Sequence, residues 1–368
     1  MARTEPASPR RTQGAAPVHE RILFVELWRL GDAVAATAGL RALRQARPTA
    51  EIGVLAHSKH GDPLFRSPDA DHRIPFDAFW TRGRLPRDKY LPWTIDYREL
   101  ARGARCIREF RPDHVLLFRG DIREQVFCRA LGLRNIVDLA GSLPMLPGIG
   151  THQRPAGVPR WKEYVFHVER WAKSPVRAEP TIHLEEPPPR DECYVLVHPG
   201  ASWRYKQWSA ARLADLISWL EARGAEVRVV AGPADGDIVS ALRAARGGAL
   251  QVERPTLSEL YSLIAGAQLV ICNNSAAMHV AEALGTPCVV LTGPSDPVRW
   301  GTYRSHSRTV TRSAGLACHP CVDKRCVRPD SPCIDRIELV DVIEAIEDMG
   351  ILAEPLGMSL RRKGSERI

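Results

Sequence analysis

The sequence predicts an α/β protein with two doubly wound parallel-sheet domains. Three observations support this. The chain has 368 residues, which is enough for two domains, each with its own core. Short apolar runs alternate with segments of helical periodicity in both halves, as in parallel sheets joined by helices. The stretch from Lys173 to Arg190 contains five prolines and separates the halves as a linker.

Composition limits the classes of protein. Hydrophobic residues make up 44% of the chain and charged residues 26%, as in an ordinary globular protein. No run of about 18 apolar residues is present, so no transmembrane helix is predicted. Residues 1–20 lack the apolar segment of a secretory signal, and we expect a disordered leader on a cytoplasmic protein. The net charge of +8 suggests an anionic partner, and no nucleic-acid-binding signature is found.

The first half begins with a βαβ pattern. A strand from Arg21 to Leu27 is followed by a helix from Ala33 to Ala46 and a strand from Glu51 to Ala56. Gly31 is predicted to allow a tight turn between strand and helix. Asp32 has two interpretations. It caps the helix, or its carboxylate faces a cleft and accepts a proton from a substrate hydroxyl.

Two further loops of the first half carry polar groups. Residues 77–93 mix aromatic and basic side chains, which suits either a loop that binds an anionic saccharide or an exposed loop with buried anchors. A helix (95–110), a strand (114–118) and a helix (122–131) follow. Arg119 and Asp121 come directly after that strand, so they are predicted to line the cleft.

The second half continues the alternation up to one decisive stretch, VICNNSAAMHVAEALGTPCVVLTGP. Its strand (269–272), polar turn and helix (276–284) direct free amides toward a sheet edge, which makes an anion site. Asn274 or Ser275 is the expected N-cap. Ala276 and Ala277 would let a ligand approach closely, and His279 would either donate to a phosphate oxygen or pack.

Two other strand ends of this half carry polar groups. The strand from Cys193 to Val197 leads to Ala201, Ser202 and Lys206, and the strand from Glu226 to Ala231 leads to Asp235. Lysine, hydroxyl and helix amides suit a pyrophosphate, and a carboxylate suits ribose hydroxyls. The sequence contains neither GxxxxGK[ST] nor GxGxxG, which argues against a P-loop NTPase and a dinucleotide oxidoreductase.

These motifs resemble glycosyltransferase family 9, the lipopolysaccharide core heptosyltransferases. The matching segments are ILFVELWRLGDAVAATAGLRAL, VLVHPGASWRYKQWSAARLADL, VVAGPAD and LIAGAQLVICNNSAAMHVAEALGTPCVVLTGPSDPVRW. The resemblance implies a GT-B architecture, in which two Rossmann-like domains enclose the active site. It also implies inverting transfer of heptose from ADP-heptose to the lipopolysaccharide inner core, without a catalytic metal.

The resemblance assigns roles to individual residues. Asp32 is the implied general base, and Gly31, Arg119 and Asp121 belong to the acceptor side. The implied donor-binding residues are Ala201, Ser202, Lys206, Asp235, Asn274, Ser275, Ala276, Ala277 and His279, with Asp235 at the ribose and most of the others at the diphosphate.

The chain departs from the family pattern at four positions. Asn274 stands where the family usually has Asp, and Ser275-Ala276 replaces Ser-Gly. Glu26 stands in place of a frequent Arg, and Ala38 in place of Pro. The missing charge at Asn274, together with a cluster of cysteines near the end of the second half, leaves an alternative open: a GT-B transferase that uses another nucleotide sugar or glycosylates a protein. A non-catalytic sugar-nucleotide-binding protein is a third hypothesis.

Four cysteines cluster near the end of the second half: Cys318, Cys321, Cys326 and Cys333. Their spacing suits a structural zinc or iron site, and free thiols and a disulfide are the alternatives. A helix from Ile337 to Met349 is expected to pack back toward the first domain. The basic leader and tail could rest on the anionic surface of the inner membrane.

The resulting domain prediction has five parts: a leader (1–20), an acceptor-binding domain (21–175), a linker (176–190), a nucleotide-sugar-binding domain (191–335), and a C-terminal helix with a basic tail (336–368).

Overall fold

The first domain contains a six-stranded parallel sheet. A computed structural model describes residues 20–81, 93, 95–140, 146–186, 188, 194–248, 250–321 and 326–352. The strands are β1 (Arg21–Glu26), β2 (Glu51–Ala56), β3 (His72–Pro75), β4 (His114–Leu117), β5 (Ile136–Ala140) and β6 (Gly150–Gln153), in the spatial order β3-β2-β1-β4-β5-β6. β1 is central and its residues 22–26 are buried, as expected for a strand covered on both faces.

Helices cover both faces of this sheet. They are α1 (Leu30–Ala46), α2 (Asp62–Phe65), α3 (Tyr97–Phe110), α4 (Ile122–Ala130) and α5 (Arg160–Ala172). Two have side-chain caps that the sequence explains. Asp96 accepts a hydrogen bond from the Glu99 amide at the start of α3, and Asp121 accepts one from the Arg123 amide at the start of α4.

The second domain contains a five-stranded parallel sheet. Its strands are β7 (Tyr194–His198), β8 (Glu226–Val229), β9 (Leu269–Asn273), β10 (Cys288–Leu291) and β11 (Arg308–Val310), in the order β11-β10-β9-β7-β8. The helices are α6 (Ala210–Glu221), α7 (Gly236–Ala245), α8 (Leu257–Gly266), α9 (Ala276–Leu284), α10 (Pro297–Trp300) and α11 (Leu339–Glu347). The two sheets confirm the predicted α/β class with two doubly wound layers.

The two domains touch along α1 and α9. Val34 of α1 belongs to the same buried apolar cluster as Ala277 and Met278 of α9. The described part of the connecting segment is irregular, and the Thr181 amide donates to Thr37 Oγ1 at 3.0 Å. The helix starts that face the interdomain cleft are therefore held close together by apolar packing beside them.

The C-terminal helix differs from its predicted placement. It was expected to return toward the first domain, but α11 packs on the second. Val342 and Ile346 are buried in one cluster with Trp208, and Glu338 at its start pairs with Arg212 of α6 at 2.7 Å. The apolar face of α11 thus packs against the second domain, which precedes it in sequence.

Short strands are the other difference. β3, β5, β6 and β11 lie in segments where no strand was predicted, because three to five residues give little periodicity. In the part of the chain that the structure describes, no helix is both long and apolar enough for a bilayer crossing. Residues 1–19 of the predicted leader, the basic tail from residue 353 and most of the 77–93 loop lie outside the described residues. Within that loop, Trp80 is a buried anchor at 2% exposure.

Candidate active site

A cavity of about 380 Å³ opens at the carboxyl ends of the strands, between the two domains. This is the position at which parallel α/β sheets bind ligands. The lining residues come from both domains: Arg29, Leu30, Gly31, Asp32, His60, His198, Ala201, Ser202, Lys206, Ala234, Asp235, Asn274, Ser275, Ala276, His279 and Trp300.

Asp32 is the buried carboxylate on the first-domain wall of this cavity. It is 7% exposed, and its Oδ1 accepts a hydrogen bond from Arg119 Nη1 at 2.7 Å. Arg160 Nε lies 3.8 Å from the same oxygen. Burial alone would raise the pKa of Asp32, but the charges of Arg119 and Arg160 outweigh it and lower the pKa. Asp32 is therefore ionised at neutral pH. It lies within the first turn of α1, where Arg29 occupies the N-cap position, so the capping interpretation is wrong.

Glu26 is a second buried carboxylate beside Asp32, at the end of β1. Its Oε1 accepts a hydrogen bond from the Trp28 amide at 3.0 Å, and its Oε2 accepts one from the Tyr164 hydroxyl. Burial and the charge of Asp32 raise the pKa of Glu26. Of the two carboxyl groups, Asp32 is thus the one that holds a negative charge at the cleft.

The start of α9 forms the opposite wall. Ser275 occupies the N-cap position but makes no side-chain cap bond, and its buried Oγ has no hydrogen-bond partner among the described residues. Ala276 lines the cavity, so the first amides of α9 and the positive end of its dipole are open to a ligand. Such a helix start suits phosphate. Ala277 is 2% exposed and packs in the core behind it.

Asn274 connects Lys206 to the rim of the cavity. Its Oδ1 lies 3.4 Å from Lys206 Nζ, and its Nδ2 donates to the Trp300 carbonyl at 2.5 Å. An aspartate could accept from the lysine but could not donate to that carbonyl. The departure from the family pattern at Asn274 therefore has a structural consequence, since the amide fixes α10 to the start of α9.

Asp235 lies at the end of the cavity near β7. Its Oδ2 accepts from the Gly232 amide at 2.7 Å and lies 3.8 Å from His198 Nε2. Burial lowers the pKa of His198, so this imidazole is neutral. A Cβ atom on Gly200 would lie 2.2 Å from the Asp235 carboxylate, so glycine is required there for close approach.

His279 and Gly31 bring the two walls into contact. A Cβ atom on Gly31 would lie 2.6 Å from His279 Cδ2. Gly31 lies inside α1, not in a tight turn, so the predicted reason for this glycine is wrong. Desolvation lowers the pKa of His279 to about 4 despite the opposing charge of Asp32, so the ring is neutral at pH 7 and can donate one hydrogen bond.

The cavity thus collects most of the predicted site residues. Asp121 is not among the lining residues, because it caps α4 and pairs with Arg123. Arg119 is not among the lining residues either, but it is connected to the cavity by its ion pair with Asp32. The sequence analysis missed His60, His198, Arg160 and Trp300. Arg160 did carry a signal: it is the first residue of α5, where the helix dipole disfavours a cation, so a special partner is expected.

The four clustered cysteines lie outside the cavity. Burial and the charges of Cys318 and Cys326 raise the pKa of the Cys321 thiol. Burial and the charges of the other three clustered cysteines raise the pKa of the Cys333 thiol to about 11. The Cys321 thiol lies 3.6 Å from the Cys318 carbonyl oxygen. Among the described residues, which omit 322–325, no set of three or more His, Cys, Asp or Glu is arranged to hold a metal ion.

Comparisons with known proteins point to one family. Residues 171–330 match the family model described as glycosyltransferase family 9 (heptosyltransferase). Lipopolysaccharide heptosyltransferase 3 of Escherichia coli is 35% identical over 118 residues, which is 31% of this chain and 35% of the relative. The chain thus matches about a third of the length of its curated relatives.

Solved structures share the whole fold. The family 9 glycosyltransferase of Veillonella parvula superposes with a TM-score of 0.75 at 20% identity, over 91% of this chain and 99% of that one. The ADP-heptose lipopolysaccharide heptosyltransferase II of E. coli gives a TM-score of 0.66 at 19% identity, over 90% of this chain and 98% of that one. The iron-containing, dodecameric heptosyltransferase TibC of E. coli was solved in complex with ADP-D-beta-D-heptose. It superposes with a TM-score of 0.56 at 15% identity, over 90% of this chain and 76% of that one.

The geometry of the cleft and these comparisons agree. The chain has the two-domain fold of these glycosyltransferases, and its residues 171–330 match the model of glycosyltransferase family 9.

Proposed function

We propose that the protein is an inverting glycosyltransferase that moves heptose from ADP-heptose to a lipopolysaccharide inner-core acceptor. The observation that carries the proposal is one cavity with Asp32 on one wall and the open start of α9 with Lys206 on the other. A base facing an anion site is the arrangement that a single displacement from a nucleotide sugar requires. The similarity to heptosyltransferases supports this choice of sugar.

Each side chain has a role in the proposed reaction. Asp32 takes the proton of the acceptor hydroxyl while that oxygen forms a bond to C1 of the heptose. The bond from C1 to the β-phosphate oxygen breaks, and ADP leaves with the bonding electrons. Lys206, the first amides of α9 and the Ser275 hydroxyl stabilise the charge on the leaving diphosphate. Asp235 accepts hydrogen bonds from the ribose, with Ala201 and Ser202 beside the diphosphate.

The acceptor side is proposed to be the first domain. Gly31, Arg119 and Asp121 follow its strand ends, and Arg119 already holds Asp32. We further propose that the protein works at the cytoplasmic face of the inner membrane, where a saccharide-lipid acceptor would be presented. The basic ends of the chain and its net charge of +8 support contact with anionic lipid.

The decisive experiment is a donor assay. Purified protein is incubated with ADP-heptose and a heptose-free core oligosaccharide, and released ADP and product mass are measured. We expect ADP release that depends on the acceptor. The second candidate, a transferase for another nucleotide sugar or a protein acceptor, is favoured by Asn274. Turnover with another donor and none with ADP-heptose would replace the first proposal with the second.

We also propose a structural metal, zinc or iron, at Cys318, Cys321, Cys326 and Cys333. The spacing of the four cysteines, the contact of the Cys321 thiol with the Cys318 carbonyl and the iron content of TibC support it, and the unsuitable arrangement of the described side chains argues against it. Elemental analysis of the purified protein tests it. About one metal per chain is expected, falling sharply in Cys321→Ser. A metal-free protein with four free thiols would contradict the proposal.

A further inference from the structure

Glu163 of α5 lies between two arginines that come from different domains. Its Oε2 accepts a hydrogen bond from Arg160 Nη1 at 2.5 Å. On its other side Arg299 Nε lies 2.8 Å from Oε1, and Arg299 Nη2 donates to Oε2 at 3.0 Å. Arg299 belongs to α10 of the second domain. Glu163 is 3% exposed, so this carboxylate forms a buried ionic contact between the domains.

Arg160 extends this contact toward Asp32 on the first-domain wall of the cavity. Its Nη2 donates to the Phe118 carbonyl at 3.3 Å and to the Tyr164 hydroxyl at 3.0 Å, so the guanidinium is held in place. Its Nε–H has no hydrogen-bond partner among the described residues and lies 3.8 Å from Asp32 Oδ1. A movement of less than about 1 Å would bring it to hydrogen-bond distance.

Arg299 extends the contact in the other direction. The next residue, Trp300, lines the cavity, and its carbonyl accepts the hydrogen bond from Asn274 beside Lys206. A path therefore leads from Asn274 to the Trp300 carbonyl, along the chain to Arg299, and through the ion pairs of Glu163 and Arg160 to Asp32.

We propose that Glu163 is a positioning residue that couples the donor domain to the base Asp32. This inference rests on the proposed transferase function. A ligand on the second-domain wall fixes α10 and Arg299, and Arg299 fixes Glu163. Glu163 partly neutralises Arg160, so that Asp32 keeps its basicity. A purely structural ion pair is the simpler interpretation. However, a buried ion pair adds little net stability, and Arg160 stands where the helix dipole disfavours it.

The charges around the two carboxylates determine the expected effect. Arg119 and Arg160 face Asp32, together with Glu26 and His279. Glu163 lies near Arg160 and Arg299 and also acts on Arg154. Without the Glu163 charge, the Asp32 carboxylate is the ionised group left to compensate Arg160 among the described residues. The pKa of Asp32 then falls further and Asp32 becomes a weaker base.

The test combines kinetics with hydrogen exchange. In Glu163→Gln we expect kcat to fall about tenfold, with the acid limb of its pH profile at lower pH and the affinity for ADP within about threefold of wild type. Arg299→Gln removes the positive charge on the other side of Glu163, so Glu163 neutralises Arg160 more fully and the acid limb should lie at higher pH than in the wild type. The double variant should also lose about tenfold, because the two residues act through one contact. Glu163→Asp should recover part of the rate.

A matched control comes from the second domain. Glu221 pairs with Arg246 on an exposed surface, and Glu221→Gln should leave kcat and its pH profile unchanged. A wild-type profile in Glu163→Gln, or a loss of about a hundredfold in the double variant, would overturn the coupling. If Glu163→Gln does not fold, Arg299→Gln carries the test, and an unshifted acid limb in that variant has the same meaning.

Hydrogen exchange separates this inference from the proposed function. ADP should slow amide exchange in α5 of the wild-type protein but not of Glu163→Gln or Arg299→Gln. A protein that binds ADP, protects α5 and transfers no sugar would refute the transferase proposal and retain the coupling. ADP binding without protection of α5 would overturn the coupling alone, and absence of ADP binding would overturn both.

Discussion

The two walls of the cleft differ in how far their polar groups are already paired. On the first-domain wall, Asp32 and Glu26 accept hydrogen bonds from side chains of the same domain. On the second-domain wall, the Ser275 hydroxyl has no partner among the described residues and the amides at the start of α9 are open. The second wall is thus suited to receive an anion, and the first to control the charge of one carboxylate.

This difference predicts two kinds of variant. Changes on the second wall should affect donor affinity and leave the folded state nearly intact, because the Ser275 hydroxyl and the first amides of α9 are open to a ligand. Changes on the first wall should affect the rate and its pH dependence, because the altered groups belong to a closed charge network. The predictions below test this division, beginning with the largest expected effect.

Asp32→Asn should abolish most of the transfer rate. The amide cannot accept the acceptor proton as a carboxylate does, so we expect kcat to fall about 10²- to 10⁴-fold. ADP affinity, measured by calorimetry, should stay within about threefold. Asp237→Asn is the control, since Asp237 is an exposed carboxylate in the first turn of α7. Retention of more than a tenth of the wild-type rate would remove Asp32 from the role of base.

Lys206→Ala should weaken the donor complex. A charge-assisted contact to a diphosphate contributes about 1.5–3 kcal/mol, so the KM for the nucleotide sugar should rise about 10- to 100-fold. The exposed Lys162 on α5 provides the matched control as Lys162→Ala. An unchanged KM with a reduced kcat would show that Lys206 stabilises the transition state alone. It would contradict the division in which the second wall sets donor affinity and the first wall sets the rate.

Acid should destabilise the protein through His279. Its pKa is about 4 in the folded state and about 6.5 when unfolded, so its stabilising effect is complete above pH 6.5 and is lost as the pH falls toward 4. Between pH 7 and pH 5 we expect a loss of roughly 2 kcal/mol from this residue. Urea unfolding of wild type and His279→Gln at both pH values measures it. An equal loss in the variant would show that the imidazole is not responsible.

Ser275→Ala should have the smallest effect. The hydroxyl makes no hydrogen bond in the described structure, so the free energy of unfolding should change by less than about 0.5 kcal/mol. The KM for the donor should rise a few-fold if the hydroxyl meets a phosphate oxygen, as a neutral hydrogen bond contributes about 1 kcal/mol. Destabilisation without an effect on KM would show that this serine serves the fold.

Local patterns predicted much of the molecule. Apolar periodicity located the central strands and long helices, and the residues that follow strand ends led to Asp32, Lys206 and Ser275. The charge network could not be predicted in the same way. Glu163 and Arg299 are 136 positions apart, and their contact depends on how two domains pack. The placement of α11 was wrong for the same reason, because an apolar helix face does not specify which surface covers it.

The contact between Gly31 and His279 has a consequence for the width of the cleft. The two walls approach so closely that the volume of one methyl group decides whether they can close. Gly31→Ala would act as a wedge at this point and hold the domains apart. Such a variant would test whether a wider cleft admits a larger acceptor.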